Sequence, residues 1–118
     1  MLLRVDSTCE ADTATITAEG EVDLATVNTL RTALTRAMQQ GAAHVTLNLD
    51  KVTYIDSSGL GTLIGAHKRL ASSGGTLVVR CSQARVLRLF TITGLDRVLN
   101  VYRGFEGYDV DLTRSMPA

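Results

Sequence analysis

Asp56-Ser57-Ser58-Gly59-Leu60-Gly61 is a polar, glycine-bearing junction between an apolar run ending at Ile55 and an amphipathic stretch beginning at Leu60. Downstream, Leu60, Leu63, Ile64, His67, Leu70 and Ala71 recur at the i, i+3, i+4, i+7 spacing of a helix with one buried face, while Thr62, Lys68, Arg69 and Ser72 fall opposite. Upstream, Val45-Thr-Leu-Asn-Leu49 alternates with period two, and Val52 to Ile55 adds a second short apolar stretch. The junction therefore reads as strand, turn, helix. Aspartate and serine suit the N-cap, where a side-chain oxygen accepts a bond from a first-turn amide. Gly59 and Gly61 at that turn expose backbone amides and clear space for a partner, and a helix N-terminus favours an anion.

Away from the junction the same logic gives an ordered list of elements. Leu2 to Val5 and Thr13 to Ala18 are expected to form an N-terminal hairpin, separated by Asp-Ser-Thr-Cys-Glu-Ala-Asp. Asp23 is placed to cap a helix whose apolar face is Val27, Leu30, Leu34, Ala37 and Met38, with Gly41 at its end. Ala43 to Leu49 is the strand before the junction. Thr76 to Val79 is a continuous apolar strand of the kind buried on both faces. Ser82 could cap a helix with Val86, Leu87 and Phe90 inward and Gly94 as its stop, and Val98 to Tyr102 is a further strand. A last helix is expected between Phe105 and Thr113, interrupted by glycine. Alternating strands and helices after a hairpin predict an α/β fold: a mixed four- to five-stranded sheet with right-handed crossovers, covered by about four helices. The strand ends should then carry the site.

Length and composition bound the rest. At 118 residues and 45% hydrophobic content the chain is one domain that can bury about two-thirds of its unfolded surface. Twelve basic and twelve acidic residues cancel, and no cluster of Lys and Arg interleaves with aromatics, which argues against nucleic acid or an anionic membrane as the main partner. Met1-Leu-Leu-Arg-Val-Asp6 lacks the apolar core of a signal peptide, so a cytoplasmic location is expected. Cys9 and Cys81 have no metal-ligand or redox spacing and are expected to be reduced thiols.

Three readings compete at the junction. A serine nucleophile would need a glycine two residues ahead, where Ile55 precedes Ser57 and Asp56 precedes Ser58, and His44 and His67 stand alone on separate elements. A dinucleotide loop would need its glycines earlier and an acidic residue closing the Thr76 to Val79 strand, where Arg80 stands instead. The third reading is a phosphorylation switch: the helix amides tolerate a phosphate, and a docked partner would meet a dianion of about −1.5 to −2 beside Asp56. The residues alone leave that switch level with the plainer alternative, in which both serines only cap the helix.

Four stretches tip this balance. Gly20-Glu-Val-Asp23, Val45-Thr-Leu-Asn-Leu-Asp50 with Val52, Tyr54-Ile-Asp-Ser-Ser-Gly-Leu-Gly61 and Leu89-Phe-Thr-Ile-Thr-Gly-Leu-Asp-Arg-Val98 occur in that order. Over about residues 13–102 the chain resembles the STAS-domain anti-sigma factor antagonists of bacteria. The single domain read from length is then a STAS domain over residues 1–112, and Ser115-Met-Pro-Ala118 is expected to belong to a frayed tail at 113–118. The resemblance implies a regulator and not an enzyme, without cofactor, metal or catalytic residue. Its partner would be an anti-sigma factor of the GHKL serine-kinase type, released when the kinase phosphorylates the antagonist; a metal-dependent serine phosphatase would reverse this. The phosphoacceptor falls on Ser57, with Ser58 as the alternative and the expected helix cap. The partner-binding set is then Asp23, Asp56, Ser57, Ser58, Gly59, Leu60 and Gly61, with Asp23 near the same sheet end and also capping the first helix. STAS domains also serve as scaffolds of stress-signalling assemblies, which is the alternative function.

Overall fold

A computed structural model describes residues 2–105 and 108–111. The elements are β1 (Leu3–Glu10), β2 (Thr13–Val22), α1 (Val27–Gln39), β3 (His44–Ile55), α2 (Ser57–Ser72), β4 (Thr76–Arg80), α3 (Ala84–Ile92), a 3-10 turn (Leu95–Arg97), β5 (Asn100–Phe105) and β6 (Tyr108–Asp111). They build one mixed sheet with strand order β1-β2-β3-β4-β5-β6. β1 is antiparallel to β2, the four strands β2 to β5 run parallel, and β6 returns antiparallel to β5.

Register explains where the core sits. Ala14 pairs with Val45 and Val45 with Leu77; in the next layer Ile16, Leu47, Val79 and Val101 align across four strands. All seven side chains are buried, because side chains alternate between faces and these share one. The buried residues of all three helices, among them Leu30 and Leu34 of α1, Leu63 and Leu70 of α2 and Phe90 of α3, belong to the same cluster. The opposite face carries Thr15, Thr46 and Val78 and then Thr17, Asn48, Arg80 and Tyr102, all exposed or half-buried. The expectation that β4 is buried on both faces is thus corrected: Leu77 and Val79 are buried, Val78 only partly. Successive crossovers in one direction place every helix on one side.

The mixed α/β sheet with its N-terminal hairpin is as expected, and several elements differ in detail. The hairpin strands are longer, since β1 continues through the polar Asp6 to Glu10 as an exposed edge, and register Glu10 to Thr13 leaves a two-residue loop. Asp23 caps the turn that precedes α1 and not the helix itself, whose N-cap is Thr26. Ser82 is not the cap of α3; Gln83 holds that position, and its side chain reaches the Asp50 carbonyl at 3.0 Å. Gly41 and Gly94 follow the ends of α1 and α3 at φ +96° and +75°, the left-handed geometry that glycine permits. Among the described residues there are six strands and three α-helices. The helix expected between Phe105 and Thr113 is replaced at Tyr108–Asp111 by a strand. Tyr-Asp-Val-Asp alternates with period two, neighbouring glycines disfavour a helix, and the open edge of β5 supplies ladder partners that no local propensity records. The tail expected at 113–118 lies outside the described residues.

Candidate functional site

β2 and β3 are neighbouring parallel strands that end together. Val22 pairs with Ile55, and the Asp56 amide donates to the Val22 carbonyl at 3.0 Å. The next residue on each strand is an aspartate, Asp23 on one and Asp56 on the other. The register therefore brings together, at the carboxyl edge of the sheet, two acidic groups 33 positions apart in the chain.

Asp56 starts α2. Its backbone is extended at φ −105° and ψ −173°, the conformation of an N-cap, and its carbonyl accepts the first helical bond from the Leu60 amide at 3.0 Å. The carboxylate oxygen Oδ1 accepts from the amides of Ser58 and Gly59, at 2.9 and 3.2 Å, and from the Ser58 hydroxyl. These bonds hold the Asp56 carboxyl below its ordinary value of 3.8: the Ser58 hydroxyl contributes most, and the amides of Gly59, Ser58 and Leu24 add to it against the opposing effect of burial. Asp56 is therefore ionised at neutral pH. Ser58 is corrected as the cap, because it is held by the cap; its carbonyl in turn accepts from the Thr62 hydroxyl at 2.9 Å.

Ser57 differs in every respect. It is the first residue of α2, its side chain is exposed, and among the described residues its hydroxyl has no hydrogen-bond partner. The Ser58 and Gly59 amides are taken by Asp56, so what favours an anion at Ser57 is the positive end of the α2 dipole. Of two adjacent serines, one is tied down and one is presented to solvent.

Asp23 belongs to the same edge. Its carboxylate accepts from the amides of Ala25 and Thr26 at 2.9 and 3.0 Å, while its own amide donates to the Thr26 hydroxyl at 3.0 Å. That hydroxyl donates to the Glu21 carbonyl at 2.8 Å. The reciprocal pattern fixes the loop between β2 and α1 and leaves Leu24 at its tip 79% exposed. Tyr54 is 42% exposed at the neighbouring strand end, so the acidic edge is flanked by two accessible apolar groups. Gly59 and Leu60, expected as contact residues, lie in the core with Leu60 8% exposed. Their contribution is to position the turn: a Cβ on Gly59 would stand 2.6 Å from Ile55 Cγ1 and 2.7 Å from Val22 Cγ1. Gly61, by contrast, is exposed, with open space where a Cβ would be.

Beyond the edge, an open groove of about 600 Å³ runs between α1 and α2. Ser57, Gly61 and Gly65 of α2 line it, together with Arg31 of α1 and with Lys68 and Arg69 near the end of α2. The Arg31 guanidinium donates to Asn28 Oδ1 on its own helix and to Thr62 Oγ1 across the groove at 3.3 Å. Lys68 and Arg69 lie on the outer face of α2, as its periodicity predicts, whereas no pattern in the sequence points to Arg31. Spacings of four, eight and eleven residues after Ser57 put Gly61, Gly65 and Lys68 on one helical stripe, a signal present in the sequence; the approach of Arg31 from another helix left no such mark.

Among the described residues, neither histidine is placed to serve Ser57 as a base. His44 opens β3 and Ser57 follows its end, about 36 Å away along an extended strand. His67 lies ten residues along α2, about 15 Å up the helix axis. Gly59 packs against the sheet and so does not cradle a ligand phosphate. What the site can do is present one hydroxyl, an anion-tolerant helix end and a shaped surface.

Comparison with known proteins agrees. The STAS domain family model matches residues 4–107. The chain is 35% identical over 106 residues to the anti-sigma-B factor antagonist of Staphylococcus aureus, covering 90% of this chain and 98% of that protein, and equally so to its namesake in Staphylococcus epidermidis. Among solved structures, the anti-sigma factor antagonist SpoIIAA in its unphosphorylated form superposes with a TM-score of 0.73 at 22% identity, over 88% of this chain and 89% of that one. An anti-sigma factor antagonist from Mycobacterium paratuberculosis gives 0.76 at 20% identity over 84% of each chain. At those identities the structures establish the fold, and the family match and the staphylococcal relatives establish the lineage. With its parallel strand ends, capped α2 and matched residues 4–107, the chain belongs to the STAS-domain family.

Proposed function

We propose that this protein is a cytoplasmic anti-sigma factor antagonist, whose unmodified form binds an anti-sigma factor of the GHKL serine-kinase type and so frees a sigma factor. Phosphorylation of Ser57 by that kinase ends the interaction, and a metal-dependent serine phosphatase restores it. The protein is then a substrate of phosphorylation and not an enzyme. The family and the names of the staphylococcal relatives support the class. Among the described residues no helix is long and apolar enough to cross a membrane.

The observation that carries the choice of residue is the inequality of the two serines. A kinase must bring a phosphoryl group in line with a free hydroxyl; Ser57 offers one, whereas Ser58 would first have to leave Asp56. A phosphate on Ser57 sits at the positive end of α2, so the fold accommodates it. It also stands next to the ionised Asp56, so a partner fitted to a small hydroxyl meets concentrated negative charge. Incubation with the purified cognate kinase and ATP is expected to add one phosphate, mapped to Ser57 and absent in Ser57→Ala. Phosphate on Ser58, or incorporation that persists in Ser57→Ala, refutes the assignment. Ser57→Asp is expected to retain the circular-dichroism spectrum while losing kinase binding.

A further inference from the structure

The groove between α1 and α2 has a chemistry that the phosphoacceptor alone does not require. Arg31, Lys68 and Arg69 line it, and among the described residues no acidic side chain does. The chain as a whole is neutral, so this is a local concentration of charge. The remaining lining is small or polar: Gly61 and Gly65, where a Cβ would meet nothing within 4 Å, and the hydroxyl-bearing Ser58, Thr35 and Thr62. Two glycines in a helix interior cost stability, and here they keep a trough clear along one stripe of α2. Arg31 is not a loose surface charge, because Asn28 and Thr62 hold its guanidinium between the two helices. Two of its five N–H donors serve those bonds, which leaves three for a carboxylate.

We infer that this groove is the docking track for an acidic segment of the kinase partner, which enters it lengthwise with Ser57 at one end. The inference rests on the functional reading above and specifies what the partner must present. From Ser57 to Lys68 the track is about 16 Å long at the rise of an α-helix, enough for about three helical turns or five extended residues. Carboxylates on that segment face Arg31 near the middle of the track and Lys68 and Arg69 at its far end. The same arrangement explains how one phosphate can release a whole segment: at the mouth of the track it adds negative charge that repels the incoming carboxylates and screens the cations they would meet.

The test uses the full chain and the purified cognate kinase, with affinity measured by calorimetry over a range of salt concentrations. Arg31→Glu is expected to weaken binding by roughly 3- to 10-fold, and Lys68→Glu with Arg69→Glu by at least as much, each flattening the salt dependence. Because Arg31 also bridges the helices, the Lys68 and Arg69 pair keeps the test decisive if Arg31→Glu disturbs the fold. Arg36→Glu, on the part of α1 that faces Val5 and Ser7, is the control and should bind as wild type does. Wild-type affinity in both groove variants overturns the track while leaving the antagonist reading intact. Failure of the wild type to bind any such kinase overturns the antagonist reading and the track with it. Anionic vesicles or single-stranded RNA bound with the same sensitivity to Lys68→Glu and Arg69→Glu would overturn a protein segment as the occupant.

Discussion

Replacing Gly59 by alanine and, separately, Gly61 by alanine should move stability in opposite directions, although the two positions are two residues apart in the same first turns of α2. At Gly59 the new Cβ would lie 2.6 Å from Ile55 Cγ1, 2.7 Å from Val22 Cγ1 and 2.9 Å from Ile55 Cδ1. Carbon atoms at rest sit about 3.5 to 4.0 Å apart, so the shortfall is about 1 Å on two neighbours at once. Neither can yield cheaply: Val22 and Ile55 are 0% and 1% exposed, both are β-branched, and they are paired across the parallel ladder. Overpacking costs about 1 to 3 kcal/mol, and a clash with two buried neighbours at once puts this case at about 2 to 3 kcal/mol, against which alanine recovers up to about 1 kcal/mol of helix propensity. The net loss is about 1 to 2 kcal/mol, a fall of roughly 5 °C in melting temperature for a domain of this size. At Gly61 nothing lies within 4 Å of the new methyl, so only the propensity gain remains, up to about 1 kcal/mol and a rise of about 4 °C. Urea unfolding followed by circular dichroism reads both, with an unchanged m-value confirming that the comparison is of folded states. A Gly59→Ala protein as stable as wild type would refute the close packing of α2 on the strand ends, and with it the rigid presentation of Ser57. Gly61→Ala then separates stability from function, since its methyl enters the groove: a more stable protein should bind the kinase less well.

Other expectations follow from single groups. Asp56→Ala should melt at a lower temperature than wild type near neutral pH, and the two melts should converge in acid. The folded Asp56 carboxyl titrates below 3.8, so its stabilisation is complete above that value and is lost as pH falls through the lower folded value; a gap that persists in strong acid would show that the charge is not what the cap uses. Burial pushes the Cys81 thiol up to about 11, whereas Cys9 is exposed, so a thiol reagent should label one cysteine per native chain at neutral pH and two only after unfolding. Ala11 opens the two-residue hairpin loop at φ +55°, where a Cβ is unfavourable by about 1 to 2 kcal/mol. After the entropic cost of glycine, Ala11→Gly should gain about 0.5 kcal/mol, and a loss measured by the same urea titration would contradict that backbone geometry.

Patterns with a short repeat could be read from the chain by eye. The period-two run around Val45, the helical face of α3 at Val86, Leu87 and Phe90, and the glycine stops at Gly41 and Gly94 all appear where expected. The buried stripe of α2 is rotated slightly from the expected one, because Ala66 is buried while Ala71 is exposed. Gly59 accounts for this: without a side chain it lets the start of the helix settle against Val22 and Ile55, a contact invisible in a one-dimensional hydrophobic pattern. The capping of α2 was legible as a choice among aspartate and two serines, and only the geometry selected Asp56.

That a strand enters, and a helix leaves, a polar turn with two hydroxyls is legible in the chain alone, since alternation, helical periodicity and capping chemistry act between residues close in the chain. The family resemblance favoured one hydroxyl over the other. It also placed Asp23 near the same sheet end, which the parallel ladder of β2 and β3 accounts for. Three-dimensional packing alone shows that Ser58 is bound to Asp56 while the Ser57 hydroxyl has no partner among the described residues, and that Arg31 comes from a different helix to line the same groove as Lys68. Those relations depend on strand register and on how two helices pack over one sheet face. Both are set by the burial of residues far apart in the chain, a cooperative property that no local stretch encodes alone.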